Sequence, residues 1–304
     1  MLDILQLAPL RPEIQSQLEA RYRVHPKDAL DSVAGIVRGI VTNGSRGPDA
    51  ATIDRLPKLE IIAAGSVGYD SIAVEHARKK NIPVTNTPDV LNDDVADLAI
   101  ALMTMTARQL VASDRHVRDG AWLKGEYPLT HRASGKRVGL LGMGRIGRAI
   151  AQRATAANNS IAYHSRRAVA DVPYRHYPDL VELARNVDFL VAIIPATPQT
   201  AKIVSRAVLE ALGPEGIFIN VARGAVADEA ALVELLQSGK LGGAGLDVFA
   251  EEPKVPDALF AMKNVVLQPH VGSATFETRR AMSQLVLDNL EAHFAGKPLL
   301  TPVG

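Results

Sequence analysis

The chain has 304 residues, 47% of them apolar and 22% charged, a length that suggests two domains of roughly 150 residues each. Its formal net charge of +1 argues against a nucleic-acid-binding surface, and the absence of cysteine excludes disulfides, thiolate nucleophiles and thiolate zinc sites. No apolar run is long enough to span a membrane and Asp3 interrupts the first apolar segment, so we expect a cytoplasmic protein without a secretory signal.

The first part of the chain alternates short apolar runs with helix-forming segments. The apolar runs lie at residues 4–7, 35–41 and 59–63, and the helical segments at residues 12–22 and 71–80. Residues 92–118 contain neither Pro nor Gly and are rich in helix formers. They are therefore predicted to form one long helix between the domains.

The middle of the chain repeats the same alternation on a larger scale. Six short apolar runs are predicted to be strands, at residues 138–141, 161–163, 188–194, 217–220, 244–247 and 265–267. Helical segments separate several of them, one of which begins at a good N-cap, Asp228. This alternation predicts a doubly wound parallel sheet with helices on both faces. A final helix is predicted at residues 277–295 and could return to the first domain.

The strongest local motif is a glycine-rich turn at residues 142–147, between a strand and a helix. Gly142, Gly144 and Gly147 permit a tight turn and the close approach of a pyrophosphate, and Arg145 and Ile146 open the helix. We predict a dinucleotide site here; the alternative is a plain glycine turn.

About 20 residues after this turn, NAD-binding domains place an acidic residue that binds the ribose hydroxyls. This chain has Ser165, Arg166 and Arg167 there instead. A hydroxyl and two guanidinium groups suit a 2′-phosphate, so the sequence favours NADP, with NAD as a possible cofactor. The alternative is that these are ordinary surface arginines.

In a doubly wound fold, ligands bind outside the carboxyl ends of the strands. Arg223, Asp247 and His270 each follow a predicted strand and are expected to converge on this rim. A guanidinium can hold a carboxylate, an imidazolium can donate a proton to a carbonyl, and a carboxylate can keep that imidazole charged. The set fits a dehydrogenase acting on a 2-oxo acid, although each residue also has an ordinary structural interpretation.

Over essentially its whole length the chain resembles the D-isomer-specific 2-hydroxyacid dehydrogenase family. The resemblance rests on six motifs, at residues 65–70, 140–147, 221–224, 245–249, 251–253 and 269–273. Residues 88–97, Trp122 and residues 299–302 resemble the glyoxylate/hydroxypyruvate reductase branch, which includes plant hydroxyphenylpyruvate reductases.

The resemblance implies roles for particular residues. Arg223 would bind the substrate carboxylate and carbonyl, His270 would donate the proton in reduction, and Glu252 would be the partner of His270. The backbone amides of Ser66, Val67 and Gly68 would complete the carboxylate site. Asp247 would hold the nicotinamide carboxamide. The remaining cofactor contacts would come from the glycine turn, the 165–167 segment, Pro195, Thr197, Val221, Ala222, His270 and Gly272.

The family fold implies a flavodoxin-like substrate domain at residues 1–98 plus 281–304, with a Rossmann dinucleotide-binding domain inserted at residues 99–280. A homodimer is expected, in which Trp122 either reaches the neighbouring subunit's active site or anchors the interface. No metal site is predicted, and neither nucleic acid nor a membrane is expected as a partner.

The expected reaction is the NADPH-dependent reduction of glyoxylate to glycolate or of hydroxypyruvate to D-glycerate. Two alternatives stay open. One is the reduction of larger 2-oxo acids such as phenylpyruvate or hydroxyphenylpyruvate. The other is a non-catalytic nucleotide-sensing scaffold, which the complete set of Arg223, Glu252 and His270 disfavours.

Overall fold

The structure, a computed structural model, describes residues 1–303. The chain divides into two units: unit 1 comprises Met1–Leu91 and the segment beginning at Ser273, and unit 2 is Asn92–Gly272. Both divisions lie earlier in the chain than residues 98 and 280, where we expected them. The reason is that the expected boundaries fall inside helices at Asn92–Ala107 and Phe276–Phe294, each of which belongs as a whole to one unit.

Unit 1 contains a five-stranded parallel sheet in the order β2-β1-β3-β4-β5. Its strands are β1 (Leu2–Gln6), β2 (Tyr22–Pro26), β3 (Val37–Thr42), β4 (Ile61–Ala64) and β5 (Val84–Thr85), and its helices are α1 (Pro12–Arg21), α2 (Leu30–Val33), α3 (Ala50–Asp54), α4 (Val74–Lys79) and α11 (Phe276–Phe294). This is the flavodoxin-like strand order.

The two faces of this sheet are covered by different parts of the chain. Leu5, on one face, packs in a cluster with residues of α3 and α4, whereas Ile4, on the other face, packs with α1 and α11. The last helix therefore returns to the first unit, and Ile4 and Leu5 are both fully buried because consecutive strand residues face opposite sides.

Unit 2 contains a seven-stranded parallel sheet in the order β12-β11-β10-β9-β6-β7-β8. Its strands are β6 (Arg137–Leu141), β7 (Ser160–His164), β8 (Arg175–His176), β9 (Phe189–Ala192), β10 (Ile217–Asn220), β11 (Gly243–Leu246) and β12 (Val265–Leu267), and its helices are α5 (Asn92–Ala107), α6 (Leu110–Arg118), α7 (Arg145–Ala156), α8 (Leu180–Arg185), α9 (Arg206–Leu212) and α10 (Glu229–Gln237). The doubly wound Rossmann arrangement is confirmed, with seven strands rather than the six predicted.

The prediction of one long helix over residues 92–118 was wrong. The chain bends by 60° between α5 and α6, where Gln109 has a left-handed φ of 47°. The segment that follows α6 supplies the cause: the backbone N–H of His131 donates to the Ala107 carbonyl, and the Tyr127 hydroxyl donates to Gln109 Oε1. Within residues 1–303 no single helix is long and apolar enough to cross a membrane; α5 and α6 meet the length and composition criteria only as a bent pair.

The predicted N-cap of α10 is confirmed, since the Asp228 carboxylate accepts the backbone N–H of Ala231. The strand order of the unit 2 sheet reverses between β6 and β9, so the segments that follow these two strands diverge there and leave a crevice at the carboxyl edge. With the exception of Trp122, the predicted site residues of unit 2 follow β6, β7, β9, β10, β11 and β12 at this edge.

Candidate active site

The glycine turn after β6 has the geometry of a phosphate cradle. Gly142 has a φ of +109°, and a Cβ on it would lie 2.6 Å from the Ile193 carbonyl oxygen. A Cβ on Gly147 would overlap the Gly142 carbonyl, so α7 packs directly on the turn. A Cβ on Gly144, in contrast, would meet nothing within 4 Å. The first and third glycines are thus needed by the fold, whereas the second leaves open space at the N-terminus of α7, where a pyrophosphate fits.

The segment after β7 carries positive charge without an acidic residue. The Ser165 hydroxyl donates to the Arg167 carbonyl at 2.6 Å, which closes a tight turn. His176 of β8 holds the same turn through its Nε2, 2.9 Å from the Ser165 carbonyl oxygen. Arg166 and Arg167 are exposed at the edge where a ribose would follow the pyrophosphate.

The segment after β9 is a compact turn. The Thr200 hydroxyl donates to the Pro195 carbonyl and accepts the backbone N–H of Thr197, each at 2.8 Å. This turn lies beside the glycine turn, because β9 is the neighbour of β6 at the reversal of the strand order.

Arg223 follows β10, and hydrogen bonds and close packing fix the backbone of the turn that carries it. The buried Asn220 side chain donates to the Arg223 carbonyl at 3.1 Å and accepts the Ala222 N–H at 3.1 Å. A Cβ on Gly224 would overlap the peptide that joins Phe249 to Ala250, so only glycine allows this close packing. Val221 and Ala222 are buried beneath the turn, and the Arg223 side chain is half-buried.

His270 and Glu252 form a directly bonded pair. His270 Nδ1 lies 2.7 Å from Glu252 Oε2, while Glu252 Oε1 accepts the backbone N–H of Phe249 at 3.1 Å. An ionised carboxylate only accepts hydrogen bonds, so Nδ1 carries a proton in this pair and Nε2 is left for a ligand. The side chains of His270 and Glu252 are 44% and 35% exposed, so the pair is accessible to a ligand.

Asp247 fixes the loop that carries His270. Its carboxylate accepts the backbone N–H groups of Val271 and Gly272, at 2.7 and 2.9 Å, and its carbonyl accepts the N–H of His270 at 2.8 Å. Asp247 is only 2% exposed; burial raises its pKa, and the two backbone hydrogen bonds partly oppose that rise. The sequence indicated Asp247 as a rim residue but gave no sign of this bracing of the loop.

The Ser66–Gly68 loop, in unit 1, follows β4. The Ser66 hydroxyl donates to the Gly68 carbonyl at 2.7 Å, the Ser66 carbonyl accepts the Thr87 N–H, and the Asn86 side chain donates to the Val67 carbonyl at 2.9 Å. These bonds use the carbonyls of the loop. No acceptor within residues 1–303 receives the backbone N–H of Ser66, Val67 or Gly68, so three donors are left for a ligand.

Trp122 differs from the other predicted site residues in position. It lies in a short 3₁₀ turn, Ala121–Lys124, after α6 and follows no strand of either sheet. Its side chain is 65% exposed, and the neighbouring Leu123 is 94% exposed. Among all residues that the structure describes, no group of three or more His, Asp or Glu side chains is placed to hold a metal ion.

Comparison with known proteins agrees with this geometry. The family model described as "D-isomer specific 2-hydroxyacid dehydrogenase, NAD binding domain" matches residues 100–272. The hydroxyphenylpyruvate reductase of Plectranthus scutellarioides is 48% identical, and a glyoxylate/hydroxypyruvate reductase A of Arabidopsis thaliana is 49% identical, with 99% of each chain covered in both cases. A solved structure of an NADPH-dependent glyoxylate/hydroxypyruvate reductase from Sinorhizobium meliloti, in complex with NADP and malonate, superimposes with a TM-score of 0.92 at 43% identity, covering 100% of this chain and 97% of that one.

The chain therefore belongs to the D-isomer-specific 2-hydroxyacid dehydrogenase family, in its glyoxylate/hydroxypyruvate reductase branch. It is an NAD(P)-dependent oxidoreductase, as predicted from the motifs.

Proposed function

We propose that this protein reduces small 2-oxo acids with NADPH, converting glyoxylate to glycolate and hydroxypyruvate to D-glycerate. The observation that carries the proposal is the contact of His270 Nδ1 with Glu252 Oε2 at 2.7 Å, on the same sheet edge as Arg223 and the glycine turn. A proton donor, a cation for a carboxylate and a dinucleotide cradle are the groups that this reduction requires.

The roles of the side chains follow from their chemistry. Arg223 binds the carboxylate and the carbonyl oxygen of the substrate, and the free N–H groups of Ser66, Val67 and Gly68 bind its carboxylate. The hydride that reduces the carbonyl carbon would come from a nicotinamide cofactor bound in the cradle. His270 donates the proton on Nε2 to the carbonyl oxygen, which becomes the hydroxyl of the product. Glu252 holds the imidazole in orientation until that transfer, through its hydrogen bond to Nδ1.

Each part of the cofactor has a proposed contact in unit 2. Gly142, Gly144 and Gly147 would hold the pyrophosphate, with Arg145 and Ile146 at the start of α7. Ser165, Arg166 and Arg167 would hold the 2′-phosphate of NADP, because they offer a hydroxyl and two guanidinium groups with no carboxylate to repel it. The nicotinamide half would be held by residues that follow β9 to β12, namely Pro195, Thr197, Val221, Ala222, Asp247, His270 and Gly272.

A second candidate function is the reduction of larger 2-oxo acids such as hydroxyphenylpyruvate. It is supported by the 48% identity to a hydroxyphenylpyruvate reductase over 99% of both chains. The proposed chemistry is the same, and the substrate side chain alone distinguishes the two functions. The homodimer is also a proposal, supported by the exposed apolar side chains around Trp122, and the cytoplasmic location stays a prediction.

Initial rates of NADPH and NADH oxidation with glyoxylate, hydroxypyruvate, phenylpyruvate and hydroxyphenylpyruvate test the proposal. We expect the two small acids to give the higher kcat/KM, with NADPH preferred over NADH. A preference for the aryl substrates would favour the second candidate. No turnover with any 2-oxo acid, despite NADPH binding, would overturn both and support the scaffold alternative.

A further inference from the structure

Unit 1 contains a cavity of about 120 Å³ at the carboxyl ends of its strands. Its lining includes Arg11 in the segment after β1, Asn43 after β3 and Gly65 after β4, with Arg279 and Ser283 of α11. In the order β2-β1-β3-β4-β5 the connections reverse between β1 and β3, which is where flavodoxin-like sheets bind ligands. The cavity therefore lies where this half of the molecule is expected to bind a ligand.

Arg279 is a half-buried cation without a counter-charge. No hydrogen-bond or ion-pair partner of its guanidinium is found within residues 1–303, and the cavity lining contains no Asp or Glu. Burial lowers the pKa of Arg279, which indicates that the charge is taken from water without compensation. A half-buried charge without a counter-charge is stabilised when an anionic ligand binds beside it.

Arg11 adds a second unsatisfied donor to the same cavity. Its Nε is buried without a hydrogen-bond partner, and the nearest carboxylate oxygen, Glu13 Oε1, lies 4.0 Å away. The guanidinium is held over the Phe276 ring at 5.3 Å, and the Arg11 backbone N–H donates to Ser283 Oγ at 3.1 Å. Arg11 is therefore held by packing and by a long ion pair with Glu13, and its Nε makes no hydrogen bond to that carboxylate.

Asn43 contributes a third donor. Its Oδ1 accepts three hydrogen bonds, from the N–H and hydroxyl of Ser45 and from the N–H of Arg46, at 3.0 to 3.1 Å. These contacts fix the orientation of the amide, and no acceptor within residues 1–303 receives its NH₂ group. The cavity is thus lined by donors from three segments and is suited to an oxygen-rich anion.

The cavity adjoins the loop proposed to bind the 2-oxo carboxylate. Gly65, in its lining, directly precedes Ser66. On the other side, a Cβ on Gly44 would overlap the Gly68 carbonyl, so the turn containing Asn43 packs on the same loop. A substrate held by the N–H groups of this loop would therefore have the cavity beside it.

We infer that the cavity is a subsite for a second anionic group on the substrate, so that 2-oxo acids with a distal carboxylate are preferred over neutral ones of equal length. The inference rests on the proposed function, because it takes the Ser66–Gly68 loop to bind the 2-oxo carboxylate. It differs from that function in predicting a dicarboxylate preference that glyoxylate and hydroxypyruvate do not reveal.

The test compares kcat/KM for two substrates that have the same chain length but differ in the distal carboxylate. The kcat/KM for oxaloacetate is divided by that for 2-oxobutyrate, for the wild type, Arg279→Gln, Arg279→Lys and Arg280→Gln. The wild type should prefer oxaloacetate, and Arg279→Gln should lower the ratio by about ten-fold or more, the effect of losing one charge-assisted hydrogen bond. Arg279→Lys should restore part of the preference, since it keeps the charge.

Arg280 is the matched control because it is the next residue of α11, carries the same charge and is exposed. Arg280→Gln should leave the ratio within about two-fold of the wild type, as expected for an exposed charge. An unchanged ratio in Arg279→Gln, or equal losses in both Gln variants, would overturn the subsite. Circular dichroism of the variants shows whether a lost rate reflects loss of the fold.

A second readout separates this inference from the proposed function. Hydroxypyruvate reduction by the wild type tests the proposed function alone, whereas the oxaloacetate ratio tests the subsite. Malonate should raise the Tm of the wild type more than that of Arg279→Gln. Malonate could raise the Tm of the wild type more than that of Arg279→Gln while the oxaloacetate/2-oxobutyrate ratio is the same in both proteins. The cavity would then bind a free anion, and its role as a substrate subsite would be overturned.

Discussion

His270 has a backbone conformation that side chains rarely adopt. Its φ of 56° lies in the left-handed region, which costs a non-glycine residue about 1–3 kcal/mol. Three backbone hydrogen bonds to Asp247 maintain it, from the N–H groups of His270, Val271 and Gly272. The strained turn is therefore stabilised by a buried carboxylate, and it presents the imidazole to Glu252.

Replacement of His270 tests the proposed proton donor. His270→Ala should lower kcat for hydroxypyruvate by roughly 10²–10⁴-fold, because general acid catalysis contributes about that much, while the Kd for NADPH changes little. Steady-state rates and NADPH fluorescence titration measure the two effects. His25→Ala is a suitable control, because His25 also pairs with a carboxylate, Asp3 at 2.8 Å, but lies on β2 of the other unit. Equal turnover in the His270 variant and the wild type would remove it from the mechanism.

Replacement of Arg166 tests the cofactor preference. Arg166→Ala should lower kcat/KM for NADPH by about ten-fold or more and leave that for NADH nearly unchanged, because only NADPH carries the 2′-phosphate. Arg185→Ala provides the control: Arg185 is exposed at the C-terminal end of α8, and a helix between parallel strands ends at the opposite edge of the sheet. If Arg166→Ala lowers kcat/KM for NADPH and for NADH by the same factor, the 2′-phosphate is held elsewhere.

For individual site residues, the sequence predicted which residues belong to the site better than it predicted their hydrogen-bond partners. Glu251 and Glu252 are adjacent, and only the family motif favoured the second as the partner of His270. In the structure Glu252 reaches the imidazole because its other oxygen is fixed by the Phe249 N–H, a contact that depends on the loop conformation. The bracing by Asn220 and Asp247 was missed for the same reason: it depends on backbone groups that a sequence does not place.

The glycine turn gives the sharpest test at the level of secondary-structure elements. Gly144→Ala should leave the free energy of unfolding within about 0.5 kcal/mol of the wild type, because its Cβ enters open space, but should weaken NADPH binding by blocking the pyrophosphate. Gly142→Ala should lower both the free energy of unfolding and the affinity for NADPH, because the φ of Gly142 is +109° and a Cβ there would crowd the Ile193 carbonyl. Denaturant titration and NADPH titration of both variants separate the two effects. Unchanged NADPH affinity in Gly144→Ala would mean that the turn is structural only.

The predicted elements were most accurate where burial is strongest. Residues 217–220 and 265–267 are strands as predicted, since a fully buried strand is a continuous apolar run. Strands β2 and β8 were missed because they lie at sheet edges and contain polar residues such as Arg23 and Arg175. The bend at Gln109 was missed because its cause, the contacts of residues 127 and 131, is distant in sequence.

At the scale of the whole molecule, both ends of the chain build unit 1. The Asn289 side chain on α11 accepts the backbone N–H groups of Leu300 and Thr301, and the Thr301 hydroxyl donates to the Asn86 carbonyl at 2.6 Å. Asn86 in turn donates to the Val67 carbonyl. The C-terminal segment therefore supports the loop proposed to bind the substrate carboxylate, and this chain path explains why unit 2 is an insertion.

The exposed apolar side chains around α6 are the strongest sign of a homodimer. Leu110, Val111, Val117, Trp122, Leu123 and Leu129 are all more than 40% exposed. Several exposed large apolar side chains in one segment are typical of a protein–protein interface. Leu123→Glu should therefore shift the protein towards monomer, because it places a charge in the proposed interface, and sedimentation velocity measures the shift. Lys124→Glu, at the next position, is the control for the charge itself.

The two interpretations of Trp122 predict different outcomes in the same assay. If Trp122 reaches the partner's active site, Trp122→Ala should raise KM for hydroxypyruvate in a protein that still sediments as a dimer. If Trp122 only anchors the interface, its side chain is covered by the second subunit, and Trp122→Ala should weaken the dimer. Any change in KM should then disappear at high protein concentration. A monomeric wild type across the accessible concentrations would contradict both, since neither role exists without a second subunit.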